Sequence, residues 1–140
     1  MWLLFAFLAA LTAALVAIFG KLGLKAIDST LATTIRSIVM AGFLVVTSLF
    51  LGKWHEFKFD SISTKDWWLI VLSGVAGALS WLFYFFALKH GEAGKVAAVD
   101  RLSIIFVLIL AAIFLGESFG WKTALGGLLM LSGAILITLR

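Results

Sequence analysis

The sequence predicts an all-α membrane protein built on a bundle of five transmembrane helices, and three observations predict it. Hydrophobic residues make up 64% of the 140-residue chain, against roughly 45–50% in soluble domains, and the mean hydropathy is +1.18. The apolar residues gather into stretches near 2–24, 29–52, 66–89, 95–116 and 119–139, each close to the roughly 20 residues a helix needs to cross about 30 Å of hydrocarbon. The stretches are continuous, whereas barrel strands would alternate in segments of about ten residues. Together they use almost the whole sequence and leave no soluble domain.

The first stretch has no basic segment before it, and its apolar run exceeds the usual 7–15 residues of a signal peptide, so it is expected to be retained as a span. The second carries Ser29, Arg36 and Thr47, spaced by seven and eleven residues, which stacks them on one helical face. In the third, Ser73, Gly77, Ser80 and Tyr84 form another such stripe, with Trp81 beside it. Asp100 and Arg101 lie one to two turns into the fourth. Gly116 and Gly120 bracket a short turn to the fifth, which continues with Gly126, Gly127 and Gly133 and favours a tight final hairpin. With no proline in the chain, any helix break is expected at glycine, for example Gly20, Gly23, Gly74 or Gly77.

Loop cations normally fix orientation, and here they divide evenly. Alternating spans place Lys53, Lys58, Lys65 and Lys122 on one face, side A, and Lys21, Lys25, Lys89, Lys95 and Arg140 on the other, side B, four against five. Two readings follow: the chain inserts in both orientations and pairs antiparallel, or a partner or helper sets one orientation. Trp2, Trp54, Trp67, Trp68 and Trp121 all fall at side A, where indoles anchor at headgroups; Trp81 alone lies deep. The net charge of +4 reflects interfacial cations and calls for no nucleic-acid partner.

Charged groups inside spans normally face a bundle interior or a wet cavity, because a central Arg or Asp costs roughly 2.5–3.5 kcal/mol on insertion scales. Arg36, Asp100 and Arg101 all enter from side B. Asp100 has two readings, an ion pair with Arg101, Arg36 or Lys21, or a gate, proton site or cation contact. Arg36 is either its partner or a contact for an anionic substrate. The stripe of Ser73, Ser80, Trp81 and Tyr84 is read as substrate-facing, the alternative being close helix packing at the small residues.

No catalytic constellation is present. His55 and His90 fall on opposite faces and cannot share a metal, and the remaining acidic residues, Asp28, Glu56, Asp60, Asp66, Glu92 and Glu117, are scattered through connections. With no cysteine, disulfides and thiolate chemistry are excluded. Neither a cofactor nor a metal is expected.

Several segments together resemble a known family. Phe19-Gly20-Lys21, Arg36, Phe85-Phe86-Ala87-Leu88, and Phe114-Leu115-Gly116-Glu117 followed by Gly126-Gly127 and Gly133 are similar to the EamA domain of the drug/metabolite transporter superfamily, over essentially all 140 residues. Typical members carry two such five-helix units as inverted repeats around a central cavity. The resemblance therefore implies one repeat unit of a ten-helix fold, completed as an antiparallel homodimer in a prokaryotic inner membrane. It departs from the family in lacking a proline near Ser103, and the first span has no acidic residue of the kind found in the related four-helix multidrug exporters.

The expected function is movement of a small metabolite or drug-like solute by alternating access. Arg36, Ser73, Ser80, Trp81 and Tyr84 are the expected substrate contacts, and Lys21, Asp100 and Arg101 the expected gating or ion-coupling groups. The competing reading is a non-transporting membrane subunit that assists assembly of a complex or presents a lipid substrate. An intramembrane enzyme is excluded for want of a reactive cluster.

Overall fold

The computed structural model describes residues 1–56, 62–118 and 120–139; Lys58, Asp60 and Arg140 lie outside the described residues, as do the side chains of His55 and Glu56. It contains helices α1 (Trp2–Gly23), α2 (Ser29–Phe50), the short α3 (Lys53–Glu56), α4 (Thr64–His90), α5 (Ala93–Asp100), α6 (Ser103–Leu110) and α7 (Trp121–Thr138), with a wider π turn at Ala111–Leu115. Among the described residues there is no strand. Five helical segments are long and apolar enough to cross a membrane: α1, α2, α4, the α5–α6–π-turn segment Ala93–Leu115, and α7. The chain divides into two compact units, residues 22–89 and residues 1–21 with 90–140.

Local chemistry explains where the helices of the 22–89 unit begin and end. Asp28 caps α2, its Oδ1 accepting from the backbone N–H of Thr30 at 2.9 Å and Leu31 at 3.2 Å, which satisfies two donors left over at a helix start. Gly52, at φ +66°, closes the other end, and its N–H reaches the Leu49 carbonyl at 3.0 Å. Ser63 starts α4: its hydroxyl accepts from the Asp66 N–H at 3.2 Å and donates to the Asp66 carboxylate at 2.8 Å, a variant of the capping box. α4 has 27 residues, or about 40 Å at 1.5 Å per residue. Tilting or projecting beyond the hydrocarbon accommodates that excess.

Of the glycines at which a break is expected, Gly23 ends α1, whereas α1 passes through Gly20 and α4 runs unbroken through Gly74 and Gly77, because glycine weakens a helix without removing a hydrogen bond. The fourth span breaks instead after Asp100. Arg101 and Leu102 have ψ of −13° and −19°, in the 3₁₀ range, and Leu102, Ile104 and Ile105 donate to the carbonyls of Val99, Arg101 and Leu102, three residues back. The span thus tightens at its middle and then widens into the π turn. Gly116, at φ +68°, ends it, with the Glu117 N–H on the Ala111 carbonyl at 3.3 Å.

Most large apolar side chains point outward, including Phe5, Phe43, Leu72, Phe106 and Leu136, and the buried apolar residues are Ala17, Leu24, Phe85, Leu88, Ala111 and Ala134. Such a surface suits lipid, in which helices cohere by close packing and interhelical hydrogen bonds. In the second unit, α5 packs along α7, and Gly127 of α7 lies 3.7 Å, measured from a Cβ built there, from Leu108 of α6.

Two predictions follow from the helix ends. A Cβ at Gly116 or at Gly42 would meet nothing within 4 Å, but only Gly116 has positive φ. Gly116→Ala is therefore expected to cost about 1–2 kcal/mol of strain, and Gly42→Ala, inside α2, to be neutral or stabilising; unfolding in mixed detergent micelles measures both, and equal effects would contradict the assignment. The Asp28 carboxyl is held below the usual carboxylate range by the Leu31 and Thr30 N–H groups, aided by Lys89. Its contribution is complete above the unfolded value of about 4 and declines as pH falls through the lower folded value. Thermal melts from neutral to acid pH should lose stability less steeply in Asp28→Asn than in the parent.

Candidate functional site

The site begins with an antiparallel register between α2 and α4. At their shared end Lys89 Nζ lies 3.9 Å from Asp28 Oδ2, in an exposed pair that contributes little energy by itself. Eight residues inward from each partner stand Arg36 and Trp81. Between those positions in the chain are the buried residues of the pair, Ser29 and Thr33 on α2 and Phe85 and Leu88 on α4. The Thr33 hydroxyl donates to the Ser29 carbonyl at 2.7 Å, and the Ser37 hydroxyl to the Thr33 carbonyl at 2.8 Å, so neither is left as a bare polar group in an apolar span.

Arg36 lies over an aromatic cluster. Its guanidinium carbon is 3.7 Å from the Trp81 ring centroid and 5.5 Å from that of Phe85. Trp81 meets Tyr84 edge-on, with centroids 5.6 Å apart and planes at 84°, and meets Phe85 at 6.0 Å and 65°. A desolvated cation over an indole face gains about 2 kcal/mol or more, which offsets much of the roughly 2.5–3.5 kcal/mol that an arginine costs at the centre of a span. The compensation is incomplete, since Arg36 Nη1 is buried and meets no hydrogen-bond acceptor among the described residues.

Of the substrate contacts expected from sequence, the structure gathers Arg36, Trp81 and Tyr84 into this cluster. Ser73 and Ser80 are exposed on α4. Phe85 is the member that residue-by-residue reading missed; the signal available was its i, i+4 relation to Trp81, which puts both rings on one face.

Lys21, Asp100 and Arg101 belong to the other unit. Lys21 Nζ donates to the Gly91 carbonyl at 2.8 Å, tying the end of α1 to the turn before α5. Asp100 and Arg101 are exposed at the point where the fourth span tightens, and Asp100 forms no ion pair with the described residues of its own unit. The same unit holds an apolar hollow of about 200 Å³ whose lining includes Ile105, Leu108, Thr123, Gly127 and Leu131. Among the described residues no three His, Asp or Glu side chains converge as a metal site would require.

Five helical segments long and apolar enough to cross a membrane define a multi-pass integral membrane protein. The chain belongs to the EamA-like transporter family, whose model matches residues 1–139. A curated relative from Sinorhizobium sp, described as an uncharacterized transporter in the cobO 3' region, is 40% identical over 136 residues, covering 97% of this chain and 95% of the relative. No solved structure matches the chain.

The Arg36–Trp81 contact is open to a direct energetic test. Trp81→Leu should destabilise the protein by about 1–2 kcal/mol beyond the loss of packing, and that excess should vanish when Arg36 is already leucine. A double-mutant cycle on unfolding free energies measures the difference, and a coupling near zero would contradict the stacked geometry.

Proposed function

We propose that this protein carries a small metabolite or drug-like solute across a prokaryotic inner membrane by alternating access, working as an antiparallel homodimer. The observation that carries the reading is the cluster of Arg36, Trp81, Tyr84 and Phe85 inside the spans of a chain that belongs to a transporter family. Aromatic faces beside a fixed charge and the stripe hydroxyls of Ser73 and Ser80 suit a ligand with an apolar body and a few polar groups.

Pairing is supported by the relative and by charge. The matched region accounts for 95% of the Sinorhizobium relative, which leaves that protein little room for a second five-span unit. The even division of loop cations imposes no single orientation, and an inverted pair would supply the opposed repeats that alternating access uses. Asp100 and Arg101, where the fourth span tightens, and Lys21, which holds the turn at Gly91, are the groups proposed to gate or couple the motion.

The chain has no cysteine, so single cysteines at Lys95 and Lys122 can be labelled with impermeant thiol reagents in intact cells and in inverted vesicles. Each site is expected to label from both faces, and labelling from one face alone would remove the antiparallel dimer. In proteoliposomes, saturable uptake should be abolished by Tyr84→Ala and reduced at least several-fold by Ser80→Leu, both still folded. Co-purification with a second chain and no flux from the pure protein would instead favour a non-transporting subunit.

A further inference from the structure

The transport reading leaves the class of solute open, and the inference drawn here rests on that reading. The Arg36 guanidinium holds its charge at every physiological pH, and its central carbon sits over the Trp81 ring, 3.7 Å from the centroid. Its in-plane edge is where a guanidinium donates, with a fork geometry that matches carboxylate and phosphate oxygens. On that edge Nη1 is buried and has no acceptor among the described residues.

The acidic side chains described in residues 22–89 are committed elsewhere. Asp28 is eight residues back along α2, about 12 Å of helix rise, and its carboxylate takes the capping N–H groups of Thr30 and Leu31. Asp66 is fifteen residues before Trp81 on α4, about 22 Å, and takes the Ser63 hydroxyl. The neighbours that the structure does give Arg36, the rings of Trp81 and Phe85, stabilise positive charge through their faces and offer no oxygen. The unit therefore presents a permanent cation, oriented by stacking, with an unfilled donor. A cationic ligand would be repelled, and a neutral acceptor would fill the donor without the charge-assisted strength of an anionic oxygen.

We propose that Arg36 binds the anionic oxygen group of the ligand, a carboxylate or a phosphate, through its Nη1 edge, while Trp81 holds the guanidinium in place, the buried Phe85 backs the cluster, and the half-buried Tyr84 takes the apolar body. Trp81 is thus a positioning residue, and Arg36 is the group that selects for negative charge. The same chemistry would serve an anionic solute or the phosphate of a lipid headgroup.

The test uses the full chain in phosphatidylcholine nanodiscs, with thermal unfolding followed during titration at constant ionic strength. The probes are benzoate, phenyl phosphate, inorganic phosphate and the neutral isostere benzamide. A parallel set of discs contains phosphatidylglycerol. Benzoate or phenyl phosphate is expected to raise the melting temperature in the phosphatidylcholine discs, and benzamide, whose carbonyl accepts without a charge, to raise it far less. Arg36→Lys, which keeps the charge and loses the fork, should weaken the response about 10- to 100-fold, and Arg36→Gln should abolish it; if the Gln variant does not fold, the Lys variant carries the comparison. A response confined to phosphatidylglycerol discs would overturn the assignment to a solute and give the same edge to a lipid headgroup. Equal responses to benzoate and benzamide, or an undiminished response in Arg36→Lys, would overturn the proposal. Anion binding without flux would sink the transport reading and leave Arg36 its role, whereas flux of neutral or cationic solutes without anion binding would do the reverse.

Discussion

A guanidinium two turns inside a membrane span must be held by something, and in this protein it is held by an indole face. The contact between Arg36 and Trp81, at 3.7 Å, is the constraint on which the rest of the 22–89 unit depends. It requires α2 and α4 to run antiparallel in one register, the register that also sets Asp28 against Lys89 at their shared end. It requires the ring of Trp81 to be fixed, which Tyr84 and Phe85 do by edge-on contact. Stacking was selected over ion pairing here, and the difference matters functionally. A buried carboxylate would neutralise the arginine and leave it nothing to offer, whereas an aromatic face stabilises the charge without consuming its donors.

The other unit shows a different solution to life in lipid. Its fourth span is irregular twice over, with backbone bonds to the third residue back just after Asp100 and a wider π turn at Ala111–Leu115. Neither irregularity comes from proline, of which the chain has none. Departures of this kind inside a helix often mark hinges and functional positions. Here they bracket the hydrophobic α6, whose Leu108 approaches Gly127 of the fifth span. The exposed Asp100 and Arg101 stand at the first of them.

Much of the fold could be read from composition and run length alone, because a lipid-facing helix must be apolar along its whole length and the hydrocarbon thickness sets that length. The caps were less legible. Asp28 and Ser63 are ordinary capping residues, but their roles depend on backbone geometry that hydropathy does not encode. The break in the fourth span was hidden for a related reason: neither glycine nor proline stands at residues 99–105, yet Leu102, Ile104 and Ile105 take their hydrogen bonds three residues back. For the site, Arg36, Trp81 and Tyr84 stood out as polar or amphipathic groups in apolar surroundings. That Arg36 lies on Trp81 was not visible, since α2 and α4 are distant in sequence and only their pairing puts residues 36 and 81 at the same depth. Ser73 and Ser80 were selected by periodicity, which identifies a shared face without saying what that face meets.

The central claim, that the guanidinium in this span is stacked on Trp81 with its edge unpaired, is tested most directly by NMR of selectively labelled protein in lipid nanodiscs. The Arg36 side-chain protons should be shifted strongly upfield by the indole ring current, and the shift should disappear in Trp81→Leu. Arg36 resonances at ordinary positions in the parent, unmoved by that substitution or carrying the signature of a carboxylate pair, would contradict it.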